Sequence, residues 1–154
     1  MSTIHLDESI ILLELTGQTK EDILQAMGQN LVEKKFVKKS FVEAVIEREK
    51  EFPTGLPTAG ISVAIPHTDV EHVNKKSISV AVLADEVHFG VMGDDQETTP
   101  VKMVFMLAMN ESHSQLSLLQ KLTQVFQNEE LLKSLIRQTE KTKIKQLLED
   151  ELNL

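Results

Sequence analysis

From Met103 to Met109 the chain reads Met-Val-Phe-Met-Leu-Ala-Met, without one charged side chain. Successive side chains of a strand point to opposite faces of its sheet. A strand apolar at every position has no face to offer water and must be covered on both sides. The run Val101–Met109 is therefore read as a central strand with layers above and below it.

The flanking segments supply both layers. Ile10–Leu13, inside Glu8–Leu15, reads as a buried strand that Gly17 ends. Thr19 is placed as an N-cap with Asp22 three residues on, and Ile23, Leu24, Met27, Leu31 and Val32 follow at helical spacing to Lys34 or Lys35. Ser40 with Glu43 has the form of a capping box ahead of Phe41, Ala44, Val45 and Phe52. Pro53, Gly55 and Pro57 then mark a loop. Strands are expected at Ile61–Ile65, Ile78–Leu83, Val87–Phe89 and Val101–Met109, with Gly93–Pro100 a polar loop. Ser112 and Gln115 repeat the capping-box pattern before Leu116, Leu119, Leu122, Val125 and Phe126. After a break at Asn128 come helices over Glu129–Arg137 and about Thr142–Leu152. The expected architecture is α/β: one domain over residues 1–154, with a mixed sheet flanked by helices on both faces.

The chain has no cysteine, which excludes disulfides, thiolate catalysis and cysteine metal sites. Its net charge of −8 argues against nucleic acid or an anionic membrane as partner. With no Trp and no Tyr, a stacking platform for bases or sugar rings is not expected. No apolar run reaches the roughly 18–20 residues that span a bilayer. Met1–Ile10 lacks the basic and apolar regions of a signal peptide. The expected setting is the cytoplasm, without membrane insertion.

Gly60-Ile-Ser-Val-Ala-Ile-Pro-His-Thr-Asp69 is where chemistry is expected. Pro66 cannot donate to a ladder, so the strand stops and His67 follows at once. An imidazole just past a strand end is held in place yet reachable. His72 stands five residues on, with Asp69 and Glu71 between. That cluster lacks the helical frame of an HExxH site, so no metal is expected. A Ser-His-Asp hydrolase would need a nucleophile elbow, and no G-x-S-x-G is present. Arg48, between Glu47 and Glu49, reads by composition alone as a solvated charge. His113 falls at a helix start, where free N–H groups favour anions. His88 reads as an ordinary strand residue, and His5 as part of a mobile terminus without a role. Together these residues suit phosphoryl transfer. A neutral imidazole is a nucleophile near pH 7, and an arginine and helix N–H groups stabilise phosphoryl oxygens.

Arg48-Glu49-x-x-Phe52-Pro53-Thr54-Gly55, followed by Gly60-Ile61-x-Val63-Ala64-Ile65-Pro66-His67, resembles the fructose/mannitol-type enzyme IIA of the bacterial sugar phosphotransferase system. Asn110-Glu111-Ser112-His113-x-Gln115-Leu116-x-x-Leu119-x-x-Leu122 resembles the second-histidine helix of the same family. Phe52–Gly55, Pro66–Asp69 and Val87-His88-Phe89 look most like its galactitol-type branch, and Thr68 replaces a glycine common among relatives. The resemblance implies that Nε2 of His67 accepts a phosphoryl group from HPr and passes it to a cysteine of a IIB protein, which serves a IIC transporter. It implies that Arg48 stabilises the phosphoryl group and His113 supports it, with His72 as a substitute, and that no cofactor is needed. Without cysteine or membrane span the chain is expected to be a free-standing IIA. A docking patch is expected around Ile65, Pro66 and the adjoining loops. The alternative is a regulatory IIA-like phosphoprotein that signals by binding a target. A third reading makes His67 a structural group in a small-molecule binding domain.

Overall fold

The computed structural model describes residues 4–58 and 60–154; the first three residues of the N-terminal segment lie outside the described residues. Among the described residues there are five strands: β1 (Ile11–Leu15), β2 (Gly55–Leu56), β3 (Ser62–Ala64), β4 (Ser77–Val91) and β5 (Asp94–Ala108). The described helices are α1 (Lys20–Glu33), α2 (Ser40–Glu51), α3 (Ser112–Phe126), α4 (Glu129–Arg137) and α5 (Lys141–Leu152). Short 3-10 turns cover Glu8–Ile10 and Val70–His72.

Period-two alternation divides the sheet between two cores. Ile78, Val80 and Val82 of β4 and Met103, Phe105 and Leu107 of β5 pack with Leu118, Leu122, Leu132, Leu135, Ile144 and Leu148 of α3, α4 and α5. The intervening Ala81, Leu83, Val104 and Met106 pack with Ile23, Leu24, Met27 and Leu31 of α1 and Phe41 and Val45 of α2. Helices thus cover both faces, as the uncharged run in β5 requires. In the sheet, β4 pairs in parallel with β1 and antiparallel with β5. β5 pairs in parallel with β3, which is antiparallel to β2.

The sequence reading erred where polarity was taken for a loop. Gly93–Pro100 is the outer part of β5 apart from Gly93, and Ile78–Leu83 and Val87–Phe89 belong to one strand, β4. Val91 pairs with Asp94, leaving Met92 and Gly93 as a two-residue turn, and only Gly93 takes a positive φ, +80°, which glycine adopts without a steric cost. Asp94, Gln96, Glu97 and Thr98 face solvent, Thr99 is buried, and their backbones complete a ladder.

Capping was read correctly at Thr19, whose hydroxyl accepts from Asp22 N–H at 3.2 Å while the Asp22 carboxylate accepts from Thr19 N–H at 3.2 Å. Asn128 likewise caps α4 through Leu131 N–H at 3.1 Å. Ser40 does not cap α2. The backbone is already helical at Lys39 (φ −56°, ψ −31°), and the Ser40 hydroxyl bonds elsewhere. Ser112 does not cap α3 either, because the N-cap position falls at Glu111. His5 is not part of a loose end. It forms a parallel bridge with Ser77, and its ring centroid lies 5.6 Å from that of Phe36.

The Pro53–Pro57 segment, read as loop, contains β2. Gly55 pairs with Ala64 of β3 and with Val91 at the far end of β4. A Cβ on Gly55 would stand 2.5 Å from the Gly90 carbonyl oxygen, a backbone atom that cannot swing aside. Gly55→Ala is therefore expected to cost about 1–3 kcal/mol through forced backbone displacement. Urea unfolding would check this, and an unchanged midpoint would show that the approach is looser than described.

Candidate functional site

The β2–β3 ladder ends at the Gly55–Ala64 pair. On the next rung a side chain replaces the missing backbone acceptor: Ile65 N–H donates to Thr54 Oγ1 at 3.2 Å. Thr54 is itself anchored to the last turn of α2. Its N–H donates to Glu49 Oε2 at 2.7 Å and its hydroxyl to Glu49 Oε1 at 2.8 Å. From the opposite side, Leu107 N–H of β5 donates to the Pro66 carbonyl at 3.0 Å. The two residues before His67 are thus held between β5 and the end of α2.

His67 is half-buried. Its Nδ1 lies 2.8 Å from the Ile65 carbonyl oxygen. A carbonyl can only accept, so the hydrogen sits on Nδ1. In the neutral ring the free lone pair is then on Nε2. Burial pushes the His67 pKa down; the Ile65 bond opposes this and the nearby Arg48 guanidinium adds to it. The net lowering keeps a neutral, nucleophilic ring available at physiological pH.

Arg48 reaches this region from the last turn of α2. Its Nη1 lies 3.9 Å from Asp69 Oδ1, with both side chains solvent-accessible, so the ion pair is loose. The guanidinium carbon stands 5.0 Å from the centroid of the Phe52 ring. Arg48 is thus positioned beside His67 rather than freely solvated. Thr68 is buried, and Asp69 is exposed.

The other candidates lie apart. The Nδ1 of His72 is 2.8 Å from Ser40 Oγ, which ties the ring to the opposite end of α2 from Arg48. His113 is exposed in the first turn of α3, beside a depression that it lines with Ile4, Lys76, Glu111 and Lys121. Among the described residues no hydrogen bond joins His113 to His67. His88 lies in β4, with Nδ1 3.1 Å from Thr98 Oγ1. Among the described residues, no group of three or more His, Asp or Glu is placed to hold a metal ion.

Two features correct the sequence reading. Ile65 and Pro66 are buried, so they offer no apolar docking patch; the exposed apolar side chain here is Phe52, 55% accessible. Glu49, noted in the sequence only as an acid flanking Arg48 and as part of the Arg48–Gly55 motif, is 1% exposed. Only its helical register could have marked it. Glu49 stands four residues after Val45, which is buried on the core side of α2.

Burial pushes the Glu49 carboxyl up to about 7 from an ordinary 4.5, against its bonds to Thr54. For a raised acid, the contribution to stability is present below the unfolded pKa and lost as pH rises through the folded one. His67 behaves oppositely: its depressed pKa gives a contribution present above 6.5 and lost as pH falls through the folded value. The melting temperature of Glu49→Gln relative to the parent protein should therefore climb from about pH 5 to about pH 8, since the variant lacks the carboxyl titration. Parallel curves for the two proteins would refute this.

Comparison with known proteins bears on this geometry. Residues 4–151 match the family described as phosphoenolpyruvate-dependent sugar phosphotransferase system, EIIA 2. The galactitol-specific EIIA component of Escherichia coli K12 is 30% identical over 117 residues, covering 76% of this chain and 77% of that protein. The mannitol-specific EIICBA component of Pasteurella multocida is 31% identical over 147 residues, covering 93% of this chain but 22% of that much longer protein. The crystal structure of IIA mannitol from Escherichia coli superposes with a TM-score of 0.76 at 28% identity, covering 94% of this chain and 99% of that one. IIA mannitol in complex with phosphorylated IIB mannitol, also from Escherichia coli, gives 0.75 at 26% identity, covering 98% and 99%. The fold, the ordered segment before His67 and these relatives agree: the chain belongs to the type 2 EIIA family of the phosphoenolpyruvate-dependent sugar phosphotransferase system.

Proposed function

We propose that this chain is a cytoplasmic IIA component in which His67 carries the phosphoryl group. The observation that carries the reading is the Nδ1–H···O=C bond to Ile65, which leaves the nucleophilic lone pair on Nε2. In the first step Nε2 attacks phosphorus of phospho-HPr. The Nε2–P bond forms as the donor's bond to phosphorus breaks, and the leaving group keeps that electron pair. The ring, still protonated on Nδ1, gains positive charge. That charge strengthens its bond to the Ile65 carbonyl. In the second step a cysteine thiolate of a IIB protein attacks phosphorus, and Nε2 recovers its lone pair.

Arg48 is the cation proposed to meet the phosphoryl oxygens. Its pairing with Asp69 is loose enough at 3.9 Å to be exchanged for a phosphate. In a chain of net charge −8 such a local cation matters, since transfer adds further negative charge. His113, in the first turn of α3, is proposed as an auxiliary donor that swings toward the loaded ring. His72, committed to Ser40, is left out of the mechanism. The galactitol-specific relative and the Phe52–Gly55 and Pro66–Asp69 segments support a galactitol-like sugar alcohol as final acceptor, through IIB and a IIC transporter.

Onward transfer tests the reading against a regulatory phosphoprotein. The chain would be loaded with labelled phosphate from phosphoenolpyruvate, enzyme I and HPr, then mixed with a galactitol-type IIB. Transport predicts that the label moves to the IIB cysteine. Retention of the label on the chain would favour the regulatory alternative.

A further inference from the structure

Glu49 has no part in the mechanism above, yet its carboxylate is the most buried charged group at the site, at 1% exposure. It is neighbour in sequence to Arg48 and is joined to His67 by consecutive hydrogen bonds. Directions along this chain are fixed. Ile65 N–H is a donor, so the Thr54 hydroxyl must accept there and spend its single hydrogen on Glu49 Oε1. Thr54 N–H takes Oε2. Glu49 must therefore accept at both oxygens, the pattern of an ionised carboxylate. Glutamine has one acceptor oxygen and would leave one of the two Thr54 donors unanswered inside the protein. Ile65, fixed through its N–H, presents its carbonyl to Nδ1 of His67.

The geometry points to Glu49 as a positioning residue for phosphoryl transfer: through Thr54 it fixes Ile65, and through the Ile65 carbonyl it holds the His67 ring with Nε2 outward. This rests on His67 being the phosphoryl acceptor. Burying a carboxylate is costly unless its oxygens are fully bonded. The gain here is order in the two residues preceding the nucleophile, where the β2–β3 ladder has run out. Misplacing a reacting group by about 1 Å is enough to slow a reaction on the order of a hundredfold.

The test compares Glu49→Gln, Thr54→Val and Thr54→Ser with the parent protein. Two quantities are measured: phosphorylation kinetics with phosphoenolpyruvate, enzyme I and varied HPr, and the His67 ring tautomer by nitrogen-15 NMR of the unphosphorylated protein. In Glu49→Gln and Thr54→Val, kcat should fall about tenfold or more, with KM for HPr within about twofold, because docking is untouched. The tautomer should drift from pure Nδ1–H to a mixture. Thr54→Ser keeps the hydroxyl and should stay within about twofold of the parent in both quantities. Folded variants with unchanged kcat and tautomer would overturn the proposal. So would a Thr54→Ser as impaired as Thr54→Val, which would make methyl packing the cause. If Glu49→Gln does not fold, the two Thr54 variants decide by themselves. If the parent protein accepts no phosphate, the functional reading fails separately, and the tautomer still decides whether Glu49 places the ring.

Discussion

Replacing His67 by alanine should end phosphoryl uptake while leaving the fold in place. The variant removes the Nε2 lone pair on which both transfer steps depend, and no nearby group replaces it. His72 is tied to Ser40 at the start of α2, and His113 lies exposed on α3. With the acceptor atom gone no N–P bond can form there, and loss of a covalent nucleophile costs on the order of 10⁶ in rate even where another path exists. Stability should change by no more than about 1 kcal/mol, because the ring is half-buried and its one bond is to a backbone carbonyl. Incubation with labelled phosphoenolpyruvate, enzyme I and HPr, beside a thermal melt, measures both. Labelling of a folded His67→Ala variant at the parental rate would place the acceptor elsewhere.

Arg48→Ala is expected to have the next largest effect. As phosphorus passes between two nucleophiles, charge spreads over its three oxygens, and a fixed cation there is worth about 10²–10³ in rate. Arg48 is held by its Phe52 contact at 5.0 Å and its Asp69 pairing at 3.9 Å, so it stays near the site without being locked. The fold should lose only about 0.5–1 kcal/mol, the size of an exposed cation–π contact. Arg48→Lys should recover part of the rate, since lysine keeps the charge but cannot offer two parallel N–H donors. Rapid-quench kinetics of the loading step would resolve these rates. An Arg48→Ala rate within about threefold of the parent would remove Arg48 from the site, since even one lost oxyanion donor costs more.

The fold was largely legible because its strongest signals are periodic. The uncharged run ending at Met109 demanded two covering layers, and α1–α2 and α3–α5 provide them. Thr19 and Asp22 marked a helix start because the capping bonds are local. Boundaries failed where the deciding contact is distant in sequence. Nothing near Asp94–Pro100 says that its backbone joins a ladder whose other strand runs through Val87–Val91. Nothing near Gly55 announces its pairing with Val91 or its close approach to the Gly90 carbonyl. Ser40 carried a capping pattern but is used by His72, 32 residues away.

The candidate site was legible in part for the same reason. Pro66 and His67 announce themselves, since a strand stop before an imidazole is a local signal. Arg48 gains its place from the tertiary fold, which sets the last turn of α2 beside the end of β3. Glu49 stood in the Arg48–Gly55 motif without a role, because its burial depends on Thr54 and on the packing of α2 against the sheet. A docking patch was expected around Ile65, Pro66 and the adjoining loops because a carrier must reach His67, but Ile65 and Pro66 themselves are covered.

The central claim is that Nε2 of His67 carries the phosphoryl group. Phosphorus-31 and nitrogen-15 NMR of the loaded chain, with intact mass of the same sample, test it most directly. The account predicts one phosphate per chain, acid-labile and base-stable, coupled to Nε2 of His67, with Nδ1 still protonated toward Ile65. A phosphate that survives acid, or one coupled to Nδ1 or to another residue, would contradict it.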